Sequence, residues 1–229
     1  MSDPRWTSAT DGYTLLRYAR KFATARQLQL VSFQVVQLLG EALNAEQHRR
    51  STRLVQLTWE QDATPDAQAE FQQHYQAVLH ETQAWVQQHP RGTHAEAERC
   101  EEAVMMAQAA MIAAPVDGGL QRVMEWVDAH VGHIAGRGFA RSSRKRVQLQ
   151  IATIFRDIIA WPEPDRAVTT TELTQALARG IVRQRAWDRL PLLADALEEA
   201  GTTDGELLAH LRSHGPHHPG CWAVECALR

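Results

Sequence analysis

Helix-start signals recur along this chain, each just ahead of an apolar run, and they constrain its fold more than any other feature. Thr64-Pro65 pairs a capping hydroxyl with a proline at the first helical position, where no N–H is needed. Thr93 with Glu96 and Thr169 with Glu172 have capping-box spacing, as does Asn44 with Gln47. Asp11 can cap a first helix bearing Tyr13, Leu15, Leu16, Tyr18 and Ala19. No segment combines strand alternation with a hairpin signal, and no fixed-period repeat is present. The expectation is an all-α fold, a multi-helix bundle of about eight to ten helices with short connections.

The apolar runs agree. Leu28, Leu30, Val31, Phe33, Val35, Val36, Leu38 and Leu39 are apolar on nearly every side, as in a helix at the centre of a bundle. Phe71, Tyr75, Val78, Leu79 and Trp85 give the helix after Pro65 an inner face, and Pro90 and Gly92 stop it. An alanine-rich helix over 103–114 would let a neighbour approach closely before Pro115 ends it. Leu120 to Ile134 reads as a helix stopped by Gly136 and Gly138. Ser142 or Ser143 precedes the next helix, with Val147, Ile151, Ile154, Phe155, Ile158 and Ile159. The segment 161–168, WPEPDRAV, is proline-stiffened. It reads as a surface loop in a single domain, 1–229, or as a boundary between a bundle, 1–160, and a small module, 169–229.

The C-terminal stretch reads as a helical hairpin. Asp188 is placed to cap a helix with Pro191 in its first turn. Leu190, Leu193, Ala194 and Leu197 share its inner face, and Gly201 provides a left-handed stop. Thr203 or Asp204 starts the partner helix, which turns Leu207, Leu208 and Leu211 inward.

At the end of that helix and beyond it, His210, His214, His217, His218, Cys221 and Cys226 fall within seventeen residues, bent by Gly215, Pro216, Pro219 and Gly220. Imidazole and thiolate are the donors zinc prefers, so His214, His217, His218, Cys221 and Cys226 are a candidate zinc site. The spacing matches no familiar zinc pattern. In the other reading Cys221, Trp222, Val224 and Cys226 pack as apolar groups and the histidines are solvated. His130 and His133, with Asp128 nearby, offer a second, incomplete pair, and His94, Glu98 or Cys100 could supply a third donor.

From Ile154 to the end, IFRDI (Ile154–Ile158), ARGIVRQRAWDRLPLLADALEEAG (Ala178–Gly201) and LLAHLRSHGPHHPGCW (Leu207–Trp222) resemble the C-termini of a family of uncharacterised helical bacterial proteins. Members often carry a cysteine-rich stretch early in the chain. The matching region here is VSFQVVQ (Val31–Gln37), which has no cysteine. A metal site shared between the two regions would therefore be broken in this chain. The resemblance implies a helical fold, and no functional residue carries over from it.

Composition removes several function classes. A formal net charge of −3 gives no overall attraction to nucleic acid or anionic membrane. Within that balance, Arg137, Arg141, Arg144, Lys145 and Arg146 form a local basic cluster that could meet nucleic acid or another anion. Only Phe139 interleaves it, so base stacking is not supported. Three widely spaced cysteines suit a reducing compartment, and neither a signal segment nor a membrane span is evident, so the expectation is cytoplasmic. No phosphate loop, nucleophile elbow or zinc-protease helix points to an enzyme. Apolar helices and seven tryptophans, any of which would anchor an interface if exposed, favour a non-enzymatic module binding an unknown protein partner. Metal binding at the C-terminal cluster is the alternative, and nucleic-acid association through 137–146 the second alternative.

Overall fold

A computed structural model describes residues 4–39, 43, 45–60, 65–88, 105–107, 119–134, 136–162 and 166–229. At residues 51, 55, 58–60, 132–134 and 136–142 only the backbone is described. The elements are α1 (Pro4–Ser8), α2 (Gly12–Ala19), α3 (Ala25–Gln37), α4 (Ala45–Glu60), α5 (Pro65–Gln88), α6 (Gly119–Ile134), α7 (Gly136–Ile158), α8 (Glu172–Gln184), a 3-10 turn (Trp187–Arg189), α9 (Leu190–Glu199), α10 (Gly205–Leu211) and α11 (Trp222–Ala227). The fold is all-α, with no strand among the described residues. The chain divides into two compact units: a middle unit, Ala9–Phe155, and a C-terminal unit, Arg156–Arg229, which also contains Met1–Ser8.

In the middle unit, α3 is the central helix. Leu30, Val31, Phe33, Val35 and Val36 are all buried, and the helix packs against both α4 and α6. It begins in a capping box: Thr24 accepts from Gln27 N–H, and the Gln27 side chain accepts from Thr24 N–H. Asp11 caps α2 as expected, accepting from Thr14 N–H. The next residue, Gly12, donates its N–H to Gln148 Oε1 at 3.0 Å. A Cβ at Gly12 would run into Ile151 and Met124, so the close approach there requires glycine. Gln148 in turn donates to Asp128 at 2.9 Å, and the Tyr13 hydroxyl donates to the same carboxylate at 3.2 Å. Burial, then the Asp128 charge, push the Tyr13 hydroxyl well above its ordinary range. Between α4 and α5, Arg53 grips Glu70 with both arms of its fork, at 2.6 and 2.5 Å.

Several sequence-based boundaries shift. α6 ends at Ile134, ahead of Gly136 and Gly138 as expected, but the glycines do not form a loop: Gly136 opens α7 and Gly138 lies in its first turn. Ser142 and Ser143 therefore lie within α7 rather than ahead of it. The cap of α8 is Thr171, boxed with Thr174, not Thr169 with Glu172. Asp188 makes no cap: the 3-10 turn intervenes, and α9 starts at Leu190 with Pro191 in its first turn. Asn44, Thr64 and Thr93, and nearly all of the alanine-rich stretch, lie outside the described residues. The described piece of that stretch, Met105–Ala107, is helical.

The C-terminal unit is a small layer of α8 to α11, with α9 packed on α8 and α10, and α11 on α8 and α10. Its core is Ala178, Ile181, Leu190, Leu193, Ala194, Leu197, Leu207, Leu211, Trp222 and Val224, all buried. Gly201 takes the expected left-handed φ, +98°, and Asp204 caps α10 by accepting from Leu207 N–H. The segment before α8 is tied to the α9–α10 turn. Thr169 N–H donates to Thr202 Oγ1 at 2.9 Å, and that hydroxyl donates back to Thr169 O at 3.0 Å. Arg166 reaches Asp204 at 2.9 Å and lies over the Trp222 ring, 4.4 Å from its centroid. The first helix joins this unit through Trp6, whose carbonyl accepts two bonds from the Arg156 guanidinium, at 3.2 and 3.0 Å.

Candidate metal centre

Asp157 lies in the last turn of α7, among Ile154, Phe155, Ile158 and Ile159, all buried. Its side chain is only 3% exposed. A buried carboxylate is costly unless its oxygens are matched by donors. Three histidines supply them. His210 Nε2 lies 3.1 Å from Oδ1, and His217 Nδ1 lies 3.2 Å from the same oxygen. Oδ2 accepts from the backbone N–H of His218 at 2.7 Å and faces His218 Nδ1 at 2.9 Å. Burial alone would raise the Asp157 carboxyl, but the bonds from His210, His217 and His218 outweigh it and hold the group well below the usual carboxylate range.

Cys221 completes the cluster. It is fully buried at the N-cap of α11. Its sulfur lies 3.2 Å from His210 Nε2 and 3.9 Å from His217 Nδ1. Burial, then the Asp157 charge, push its thiol well above the ordinary value. Backbone N–H groups of Val224 and Ala223 donate to the sulfur and work the other way. The Gly/Pro-rich loop makes the convergence local. Gly220, at φ +94°, turns the chain so that Cys221 N–H reaches His218 O at 2.9 Å. The His210 ring is walled by Trp222, with centroids 5.0 Å apart.

One donor atom from each of Asp157, His210, His217 and Cys221 lies within 4.8 Å of all the others. A tetrahedral zinc with ordinary bond lengths sets its donors about 3.3–3.6 Å apart. The contacts of 3.1, 3.2, 3.2 and 3.9 Å bracket that range. The charges also fit: one carboxylate and one thiolate neutralise a dication, and two imidazoles add neutral donors. The far nitrogen of His217 lies 3.3 Å from Ser213 O, the kind of bond that fixes the ring of a metal-bound histidine.

The same atoms hold protons when no metal is bound. His217 then donates from Nδ1 to Asp157 and from Nε2 to Ser213 O, which requires the imidazolium. Burial opposes that charge, yet the Asp157 bond and charge prevail and raise the His217 pKa above its ordinary value.

Of the sequence-proposed donors, His217, His218 and Cys221 come together. His218 meets the carboxylate instead of the four-donor set. His214 is exposed. Cys226 is half-buried on α11, with Arg229, Arg166, Asp204 and Glu225 as its charged neighbours. His210 belonged to the His/Cys run but not to the proposed ligand set, and Asp157 was not proposed at all. A signal for Asp157 was present: it interrupts an apolar helix face beside Ile154 and Ile158, where a lone carboxylate calls for buried partners. Of the second pair, His130 is buried and the His133 side chain lies outside the described residues, as do His94, Glu98 and Cys100. In the basic cluster, Arg144, Lys145 and Arg146 are exposed on the third turn of α7, and the side chains of Arg137 and Arg141 lie outside the described residues.

Comparison with family models, with curated proteins and with solved structures finds no match for this chain. No helix among the described residues is long and apolar enough to cross a membrane.

Proposed function

We propose that this is a metal-binding helical protein whose C-terminal unit is pinned by a structural zinc ion on Asp157, His210, His217 and Cys221. The observation that carries the reading is the convergence of those four donors, all within 4.8 Å of one another, from three separated segments. They come from the end of α7, from α10 and from the loop before α11. The ion's role is structural, since four protein donors fill a tetrahedron and leave no position for substrate. The donors are also well covered, with His210 the most open at 21% side-chain exposure.

The same residue types suggest a nucleophilic cysteine triad, and the geometry argues against it. In a triad the histidine uses one ring nitrogen for the nucleophile and the other for the carboxylate. Here Nε2 of His210 faces both Cys221 and Asp157. Cys221 is fully buried, and its thiol is pushed up rather than activated. The protein-interaction reading has less behind it. No tryptophan side chain among the described residues is exposed, so none offers an interface anchor.

Elemental analysis of untagged protein tests the proposal. The expected result is about one zinc per chain, lost in both Cys221→Ser and Asp157→Ala variants. Wild-type protein that carries no zinc, and takes none up on titration, would sink it.

A further inference from the structure

We infer that His218 is a positioning residue, which engages one oxygen of Asp157 so that only the other faces the metal. The inference rests on the zinc reading above. Asp157 is the one donor with a choice of mode, because a carboxylate can bind through one oxygen or two. Its oxygens are sorted by their partners. Oδ1 faces His210 and His217, the two imidazole donors of the set. Oδ2 is taken twice by His218, through its backbone N–H at 2.7 Å and its Nδ1 at 2.9 Å. Facing a carboxylate, Nδ1 is the donor. Oδ2 is thereby saturated with donors and turned from the ion, and Oδ1 is left as the single carboxylate ligand.

The carbonyl of His218 also accepts from Cys221 N–H at 2.9 Å. One residue therefore engages the carboxylate with its side chain and its main-chain N–H, and the cysteine backbone with its main-chain carbonyl. Truncating the side chain removes the Nδ1 bond alone and keeps both main-chain bonds, so the side chain's part can be separated. Groups that hold a metal's ligands in place are worth about 10–100-fold in metal affinity.

The test uses full-length wild type, His218→Ala and His218→Asn. Zinc affinity is measured by chelator competition, and the cobalt(II)-loaded proteins are compared by visible absorption. His218→Ala should still bind one metal per chain, about 10–100-fold more weakly. Its cobalt bands should shift and lose intensity as Oδ2, left with the backbone N–H as its one bond from residue 218, swings in and the site leaves tetrahedral geometry. His218→Asn, whose side-chain amide can donate to Oδ2, should recover most of the affinity and the wild-type bands. Bands that move in His218→Ala and return in His218→Asn would not follow from a loss of packing alone. Wild-type affinity and unchanged bands in His218→Ala would overturn the positioning role while leaving the zinc site standing. Complete loss of metal from His218→Ala would make His218 a ligand and also overturn it. A wild type that binds neither zinc nor cobalt would overturn both readings together.

Discussion

Asp157 Oδ1 lies 3.2 Å from His217 Nδ1, and both side chains are almost wholly buried, 3% and 4% exposed. Without metal this is a buried ion pair, and removing one partner strands the other. Asp157→Ala would leave His217 facing no anion and the His218 N–H without its acceptor. Breaking a buried pair in this way costs about 3–5 kcal/mol. Urea denaturation of metal-free wild type and variant checks this. A difference under about 1 kcal/mol, the range of exposed pairs, would mean that the cluster is wetter than its geometry implies.

The pair also sets a pH dependence for the metal-free protein. Asp157 has a depressed folded pKa, so its contribution is present above the unfolded carboxyl value of about 3.9 and is lost as pH falls toward the folded value. His217 has a raised folded pKa, so its contribution is full below the unfolded value of about 6.5 and is lost as pH rises through the folded value. Metal-free stability should therefore be greatest between about pH 4 and 6.5 and decline on either side. Zinc reverses the alkaline limb, because binding requires His217 and Cys221 without their protons and tightens as pH rises. Denaturation series with chelator and with saturating zinc should diverge above neutrality. Parallel curves there would count against His217 as a ligand.

The sequence makes the helices legible because their signals are local. Asp11, Pro65, Gly201 and Asp204 act on residues within a turn of themselves, and each performs its expected role. Failures arise where two local signals compete. Gly136 and Gly138 read as a stop, and α6 does end at Ile134, yet both glycines then lie in the first turn of α7, ahead of the serines that read as its start. Asp188 reads as a cap, but the chain first makes a 3-10 turn. The site was half legible for the same reason. His217, His218 and Cys221 share a loop and are near in sequence. Asp157 lies 53 residues before His210, and only the fold brings it near.

The zinc reading divides the His/Cys run into ligands and bystanders, which gives a further expectation. His214→Ala and Cys226→Ser should retain wild-type zinc content, whereas His210→Ala and His217→Ala should each lose it. His214 is exposed, and Cys226 stands among Arg229, Arg166, Asp204 and Glu225. Native mass spectrometry of the four variants reads the stoichiometry directly. Loss of metal from Cys226→Ser alone would move the thiolate ligand from Cys221 to Cys226.

Arg166 should matter for stability without mattering for metal. Its guanidinium meets Asp204 at 2.9 Å, Glu206 at 3.4 Å and Trp161 O at 3.3 Å, and covers the Trp222 ring. The Arg166 and Asp204 side chains are 11% and 7% exposed, so the pair is largely out of water. Arg166→Ala uncovers the ring and leaves Asp204 with its capping bond to Leu207 N–H as its remaining compensation, a change worth about 3–5 kcal/mol. Arg166→Lys keeps the charge but loses the planar fork that both stacks and pairs, so it should recover only part of that. Trp222 also packs on His210, one of the four proposed donors. The four donors do not include Arg166, so zinc content should stay at the wild-type level while the urea midpoint falls. If zinc is lost along with stability, the Arg166–Trp222 stack is what holds His210 in place for the metal.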